Sequence, residues 1–115
     1  MPAALLVPIR PGWSFGDAAA WPEAAFTVFL NVFIEAGMQA GESLLVHGGA
    51  SGVGTMAIAM AKESGAAVYA TAGGPEKVAA CLELGAALAL DRHAGDFEEA
   101  LGARGLGADV VLDMV

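Results

Sequence analysis

At 115 residues the chain has room for one small domain, and its net charge of −8 argues against a nucleic-acid partner, whose phosphates require lysine and arginine. Hydrophobic residues make up 57% and charged ones 16%, a balance suited to strands covered by helices on both faces. The single cysteine, Cys81, excludes an internal disulfide framework and fits a reducing compartment.

Met1-Pro2-Ala3 lacks the charged opening and cleavage site of a signal peptide. Residues 5–9 (Leu-Leu-Val-Pro-Ile) read as a short strand, confined to a sheet edge because Pro8 has no N–H to donate. Ser14 is placed to N-cap a brief helix through residues 18–20. Trp21-Pro22-Glu23 then starts a longer helix, with proline at its first position and a carboxylate in its first turn. Phe26, Phe29, Leu30, Phe33 and Ile34 fall at helical spacing and are expected to pack in the core, with Gly37 ending the helix. The apolar run over 24–34 is interrupted by Thr27 and Asn31 and falls short of the roughly 20 residues that span a bilayer. The expectation is a soluble, cytoplasmic protein with no membrane partner.

From Ser43 onward strands and helices alternate: strand 43–47, helix 52–64 stopped at Gly65, strand 67–71, helix 75–84 stopped at Gly85, strand 87–90, helix 95–102, strand 108–112. Such alternation implies right-handed crossovers and a parallel sheet, so the fold class is α/β. Between the first of these strands and its helix lies Gly48-Gly49-Ala50-Ser51-Gly52-Val53-Gly54. A strand, a tight glycine turn and an alanine-rich helix are the parts on which a dinucleotide's pyrophosphate rests at a helix N-terminus. Written as Gly49-x-Ser51-x-x-Gly54, the turn is the dinucleotide fingerprint with serine in its middle slot, and Ser51, Gly52, Val53, Gly54, Thr55, Met56 and Ala57 are the residues expected to form the pyrophosphate site. The sheet expected is a partial Rossmann fold, the first four strands of a doubly wound sheet of order 3-2-1-4-5-6. Its fourth strand would be an unprotected edge, a template for pairing with another chain, and a homo-oligomer is expected. On this reading the chain is a fragment of a larger enzyme.

The turn also resembles that of short-chain dehydrogenases, His47-Gly48-x-x-x-Gly52-x-Gly54. Against that family stand the turn's position, the lack of a Tyr-x-x-x-Lys (Tyr69 is the one tyrosine) and the unexplained segment 22–31. Pro22-Glu23-Ala24-x-x-Thr27-Val28-x-x-Asn31, the run from Gly41 through Thr55, Thr71-Ala72-Gly73, Lys77, Leu84-Gly85-Ala86 and Asp109-Val110-Val111-Leu112-Asp113 resemble, in register, the zinc-independent quinone oxidoreductases of the medium-chain dehydrogenase/reductase superfamily, and within them the branch typified by the tumour-suppressor-inducible quinone reductase. The resemblance covers nearly the whole chain. It implies an NADP(H)-dependent enzyme that transfers hydride to a quinone or enone without a metal, residues 1–20 as the tail end of its catalytic domain, and 21–115 as a truncated cofactor-binding domain. It also implies that the substrate-lining tyrosine lies upstream, so no catalytic residue is assigned here and the fragment alone is expected to be inactive.

An NAD-reading fold places an acid about 20 residues past the glycines, at the tip of the second strand. Here that tip runs Ala70-Thr71-Ala72-Gly73-Gly74, without one. Lys77 matches the lysine with which the family neutralises the 2′-phosphate of NADP, and Ala72 and Gly73 fall on the same side. Where the family has a tyrosine after the third strand this chain has Arg92, able to make a bidentate phosphate contact. The bland alternative is that Lys77 and Arg92 are solvated ends of a helix and a strand. The resemblance puts Thr27 near the nicotinamide; Asn31, one turn on, is either its companion or a helix-surface residue. For His47 a structural role, held by a backbone hydrogen bond, is preferred to catalysis, and for Cys81 a plain core thiol. The rival functional readings are a nucleotide-binding module without turnover and a self-associating fragment.

Overall fold

The computed structural model describes residues 2–114, so expectations touching Met1 and Val115 lie outside the described residues. The first helix, α1, spans Phe15–Val28 and runs on into a π-helical segment, Phe29–Glu35. Then come β1 (Ser43–His47), α2 (Gly52–Glu63), β2 (Ala67–Ala72), α3 (Pro75–Leu84), β3 (Leu88–Asp91), α4 (Phe97–Ala103) and β4 (Val110–Leu112). The strands form one parallel sheet of order β3-β2-β1-β4. That is the expected partial Rossmann arrangement.

Period-2 alternation along the strands assigns side chains to the two faces. Leu44, Val46, Val68, Ala70 and Ala72 join Val28, Val32, Ala57, Ile58, Ala61 and Cys81 in the larger core, under α1, α2 and α3. Leu45 and Tyr69 point the other way, to Leu101 of α4. The chain thus crosses over one face while stepping from β1 to β3, then returns over the other face to place β4 beside β1. This reversal opens a crevice at the C-terminal ends of β1 and β4, where α/β sheets bind ligands.

The N-terminal part departs from expectation in three ways. Residues 5–9 form no strand: Ala3–Leu5 is a single 3-10 turn, residues 6–10 have no regular structure, and Leu5, Leu6 and Val7 are exposed. A strand needs a ladder partner, and the sheet offers this segment none. Secondly, one helix, not two, covers Phe15–Val28, with Pro22 in its interior. Ser14 accepts from the Asp17 amide at 3.0 Å while the Asp17 carboxylate accepts from the Ser14 amide, a reciprocal cap that starts the helix well ahead of the proline.

The third departure concerns the buried face. Phe26 and Phe29 are about half exposed, and so are Leu30 and Ile34, while Ala25, Val28 and Val32 go into the core. Only Phe33 of the expected set packs partly against it. Small side chains let the helix approach α2 and the sheet closely, and the bulky ones are turned outward. Two side chains bond back to the helix around the point where the π-helical segment begins: Thr27 Oγ1 donates to the Glu23 carbonyl and Asn31 Nδ2 to the Thr27 carbonyl, at 2.7 and 2.8 Å. At the end of the π-helical segment the Ala36 amide bonds the Asn31 carbonyl, five residues back.

Candidate functional site

The glycine turn is built around contacts that no side chain could share. Gly48 has φ +70°, the left-handed region that favours glycine. A Cβ on Gly49 would lie 2.8 Å from Ala70 Cβ and 2.9 Å from Cys81 Sγ. A Cβ on Gly54 would overlap the Gly48 carbonyl oxygen and sit 2.8 Å from Gly49 Cα. The first and third fingerprint slots are therefore steric necessities, pressing the start of α2 onto the end of β1. A Cβ on Gly52, in contrast, would meet no atom within 4 Å, leaving open space at the start of α2. Ser51 N-caps α2, its Oγ accepting from the Gly54 amide at 3.0 Å. The amides of Gly52 and Val53 precede the first intrahelical bond, made by Thr55 to the Ser51 carbonyl, and the helix dipole adds positive potential there. This arrangement fits a bridging phosphate.

Beside the turn runs a groove of about 740 Å³ along the C-terminal ends of the strands. It brings together Ser51, Ala72, Gly73, Lys77 and Arg92 of the predicted set, with His47, Thr71, Asp91 and the start of α4 completing its walls. The other predicted residues lie elsewhere. Gly52 and Val53 open α2, next to Ser51 but off the groove wall. Gly54 is buried in the turn and Ala57 wholly within the core. Thr55 Oγ1 bonds the Gly52 carbonyl at 3.0 Å, and Met56 faces a separate shallow hollow with Trp13 and Trp21. Thr27 sits on α1, outside the groove lining, its hydroxyl spent on Glu23.

Lys77 stands in the first turn of α3 and Arg92 directly after β3. The Arg92 guanidinium lies over Gly73: a Cβ there would be 3.2 Å from both Nε and Nη2. The Arg92 amide continues the sheet register by bonding the Ala72 carbonyl at 3.0 Å. Asp91, unassigned by sequence reasoning, accepts through Oδ1 from the amides of His93 (3.0 Å) and Gly74 (3.2 Å). The His93 amide holds its carboxyl below the ordinary range; desolvation opposes this, while the Gly74 amide and the charges of His93 and Arg92 assist.

His47 is held by a side chain and not by the expected backbone group: its Nδ1 lies 2.9 Å from Thr71 Oγ1, and its ring meets Phe97 edge-on at 4.6 Å between centroids. Phe97 carries no sequence signal for this role, since only the reversal of strand order brings α4 over β1. Cys81 is fully buried, and burial pushes its thiol pKa up, as suits a core thiol. Among the described residues no cluster of three His, Cys, Asp or Glu side chains could hold a metal ion, and no helix is long and apolar enough to cross a membrane.

A parallel sheet of this order with a glycine turn at the switch point defines a dinucleotide-type oxidoreductase fold, that of the medium-chain dehydrogenases/reductases. Residues 52–115 match the zinc-binding dehydrogenase family, and the chain belongs to it. The described residues offer no donor set for the zinc of that family's name. The quinone oxidoreductase from Thermus thermophilus, solved also in complex with NADPH, is similar with a TM-score of 0.87 and 36% identity over 98% of this chain and 37% of that one. The CurK enoyl reductase is similar with a TM-score of 0.86 and 34% identity, over 95% of this chain and 33% of that one. In sequence, the spectinabilin polyketide synthase system protein NorB of Streptomyces orinoci is 43% identical over 112 residues, 95% of this chain and 5% of NorB. The chain thus spans a small part of its curated relatives.

Proposed function

We propose that the groove binds NADP(H), with the start of α2 at the pyrophosphate and Gly73, Lys77 and Arg92 at the 2′-phosphate, in a protein that reduces a conjugated carbonyl such as a quinone or enone. The observation that carries this reading is the convergence of Lys77 and Arg92 on one groove beside a β2 tip that has no acid for a ribose 2′-hydroxyl. Asp91 also lines the groove, but it follows from β3 and its Oδ1 is committed to two main-chain amides. The dinucleotide, when bound, supplies the hydride; the chain binds and orients it. Thr27 is proposed to serve the nicotinamide end, residues 1–20 to be the tail of a catalytic domain, and the 115-residue chain alone to bind without turnover.

Calorimetric titration of NADPH and NADH into the wild type and a K77A/R92A double variant tests the cofactor assignment. Losing two charge-assisted contacts should weaken NADPH about 30-fold or more while NADH stays within about threefold. Equal losses for both nucleotides would sink the 2′-phosphate site.

For the acceptor, the Thermus quinone oxidoreductase and the CurK enoyl reductase are similar to this chain to nearly the same degree, so a quinone and an enoyl group are the two candidates. Both are conjugated carbonyls that take hydride at an electron-poor carbon. The whole-length protein, assayed with NADPH against a crotonyl thioester and 1,4-benzoquinone, separates them. Thioester turnover without quinone turnover selects the enoyl reading, and the reverse selects the quinone branch.

A further inference from the structure

We propose that Asp91 is the positioning residue of the 2′-phosphate rim: its carboxylate ties the turn after β2 to the turn after β3, so that Lys77 and Arg92 face one groove. This rests on the NADP(H) reading above and deepens it. β2 passes into α3 through Gly74, at φ +102°, a conformation that side chains other than glycine rarely adopt. Gly74 is also the N-cap of α3 and has no side chain with which to cap it. Such a junction is a hinge unless something anchors it, and Lys77 rides on the helix that begins there.

The anchor comes from the neighbouring strand. Asp91 Oδ1 accepts the Gly74 amide at 3.2 Å across 17 residues of chain, and the same oxygen accepts the His93 amide at 3.0 Å. The first bond fixes the turn that leads to Lys77; the second folds the turn that carries Arg92. One atom thereby sets the spacing of both cations. The Arg92 amide, bonded to the Ala72 carbonyl, extends the β2–β3 register Ala72↔Asp91 and keeps the carboxylate opposite the hinge. The His93 amide, first of the causes, lowers the Asp91 pKa below its ordinary value, so the group is a carboxylate at neutral pH. It therefore also puts a negative charge beside a phosphate site, which geometry requires and electrostatics opposes.

Those two effects part under substitution. Asp91→Asn keeps an oxygen acceptor and removes the charge; Asp91→Ala removes both. Calorimetric titration of both nucleotides into the wild-type chain and the two variants reads the outcome. Expected are a wild type that prefers NADPH, a D91N that binds NADPH as tightly or about threefold tighter, and a D91A that binds it about tenfold more weakly with NADH within about twofold. A D91A that binds NADPH like the wild type, or loses both nucleotides alike, overturns the proposal while leaving the wild-type preference intact. A wild type that binds both nucleotides alike overturns the NADP(H) reading and this inference with it. Should D91A not fold, D91N decides: weaker NADPH binding overturns the proposal, and equal or tighter binding supports it.

Discussion

The glycine turn and the α1 helix treat their side chains in opposite ways. Around the turn and its rim, four positions are explained from within the chain: Gly49 and Gly54 by atoms they touch, Ser51 by the amide it caps, Asp91 by two amides it holds. Along α1, the segment before it and the π-helical segment after it, Leu5, Phe15, Phe26, Phe29 and Ile34 stand 50% or more exposed. Hydrophobicity alone thus misassigns the core of α1, because the residues that bury most here are the ones that fit and not the ones that are greasiest.

Substitutions can break this contrast or sharpen it. The largest effect is expected at Gly54→Val, whose Cβ meets backbone that cannot move aside; about 3 kcal/mol or more of stability should be lost, read as a fall in the urea midpoint at constant slope. A wild-type midpoint would show that the turn yields. Next, Val32→Ala on the buried face should cost about 2 kcal/mol, whereas Phe29→Ser on the outer face should change stability by less than about 0.5 kcal/mol in the isolated chain. Comparable losses for the two would mean that the aromatic face is covered after all. Gly49→Ala is expected to cost about 1–2 kcal/mol by overpacking, and pairing it with Cys81→Ala should recover part of this, since Sγ is one of the atoms the new methyl meets. Strict additivity in that double-mutant cycle would dissociate the thiol from the turn.

The smallest effect concerns pH. Asp91 has a folded-state pKa below its ordinary value, held there first by the His93 amide. Its contribution to stability is complete above the unfolded-state carboxylate range and is lost as pH falls through the lowered folded-state value. Between about pH 5 and pH 2 the wild type should lose stability more steeply than D91N, which has no carboxylate to protonate there. Parallel profiles would deny Asp91 an ionised role in the fold.

The β1–α2 unit was legible in the sequence because its constraints are local: a glycine appears wherever a Cβ would collide, and Ser51 stands three residues from the amide it caps. Gly85, left-handed at φ +114°, ends α3 where the pattern stops. The alternation of elements sufficed for a parallel sheet, and the dinucleotide fingerprint for its strand order. What could not be read depends on partners distant in sequence or on competition between signals. At α1 the Ser14–Asp17 cap outweighs the break that Pro22 advertises. His47 finds Phe97 because the chain crosses the sheet twice before returning. Of the site, Lys77 and Arg92 stood out as cations in a chain with few, but Asp91 did not, since its bond to the Gly74 amide leaves no trace in residue type.

Cys81 lends the molecule a built-in clock. Its sulfur lies under the Gly49 main chain with no accessible surface, so a maleimide can reach it only from states in which the turn has lifted or α3 has swung away. When such openings are fast and rare, the labelling rate measures how often they occur. A ligand that clamps the turn slows the reaction in proportion to its occupancy, so under the proposed nucleotide reading the free thiol reports on the groove from outside its lining.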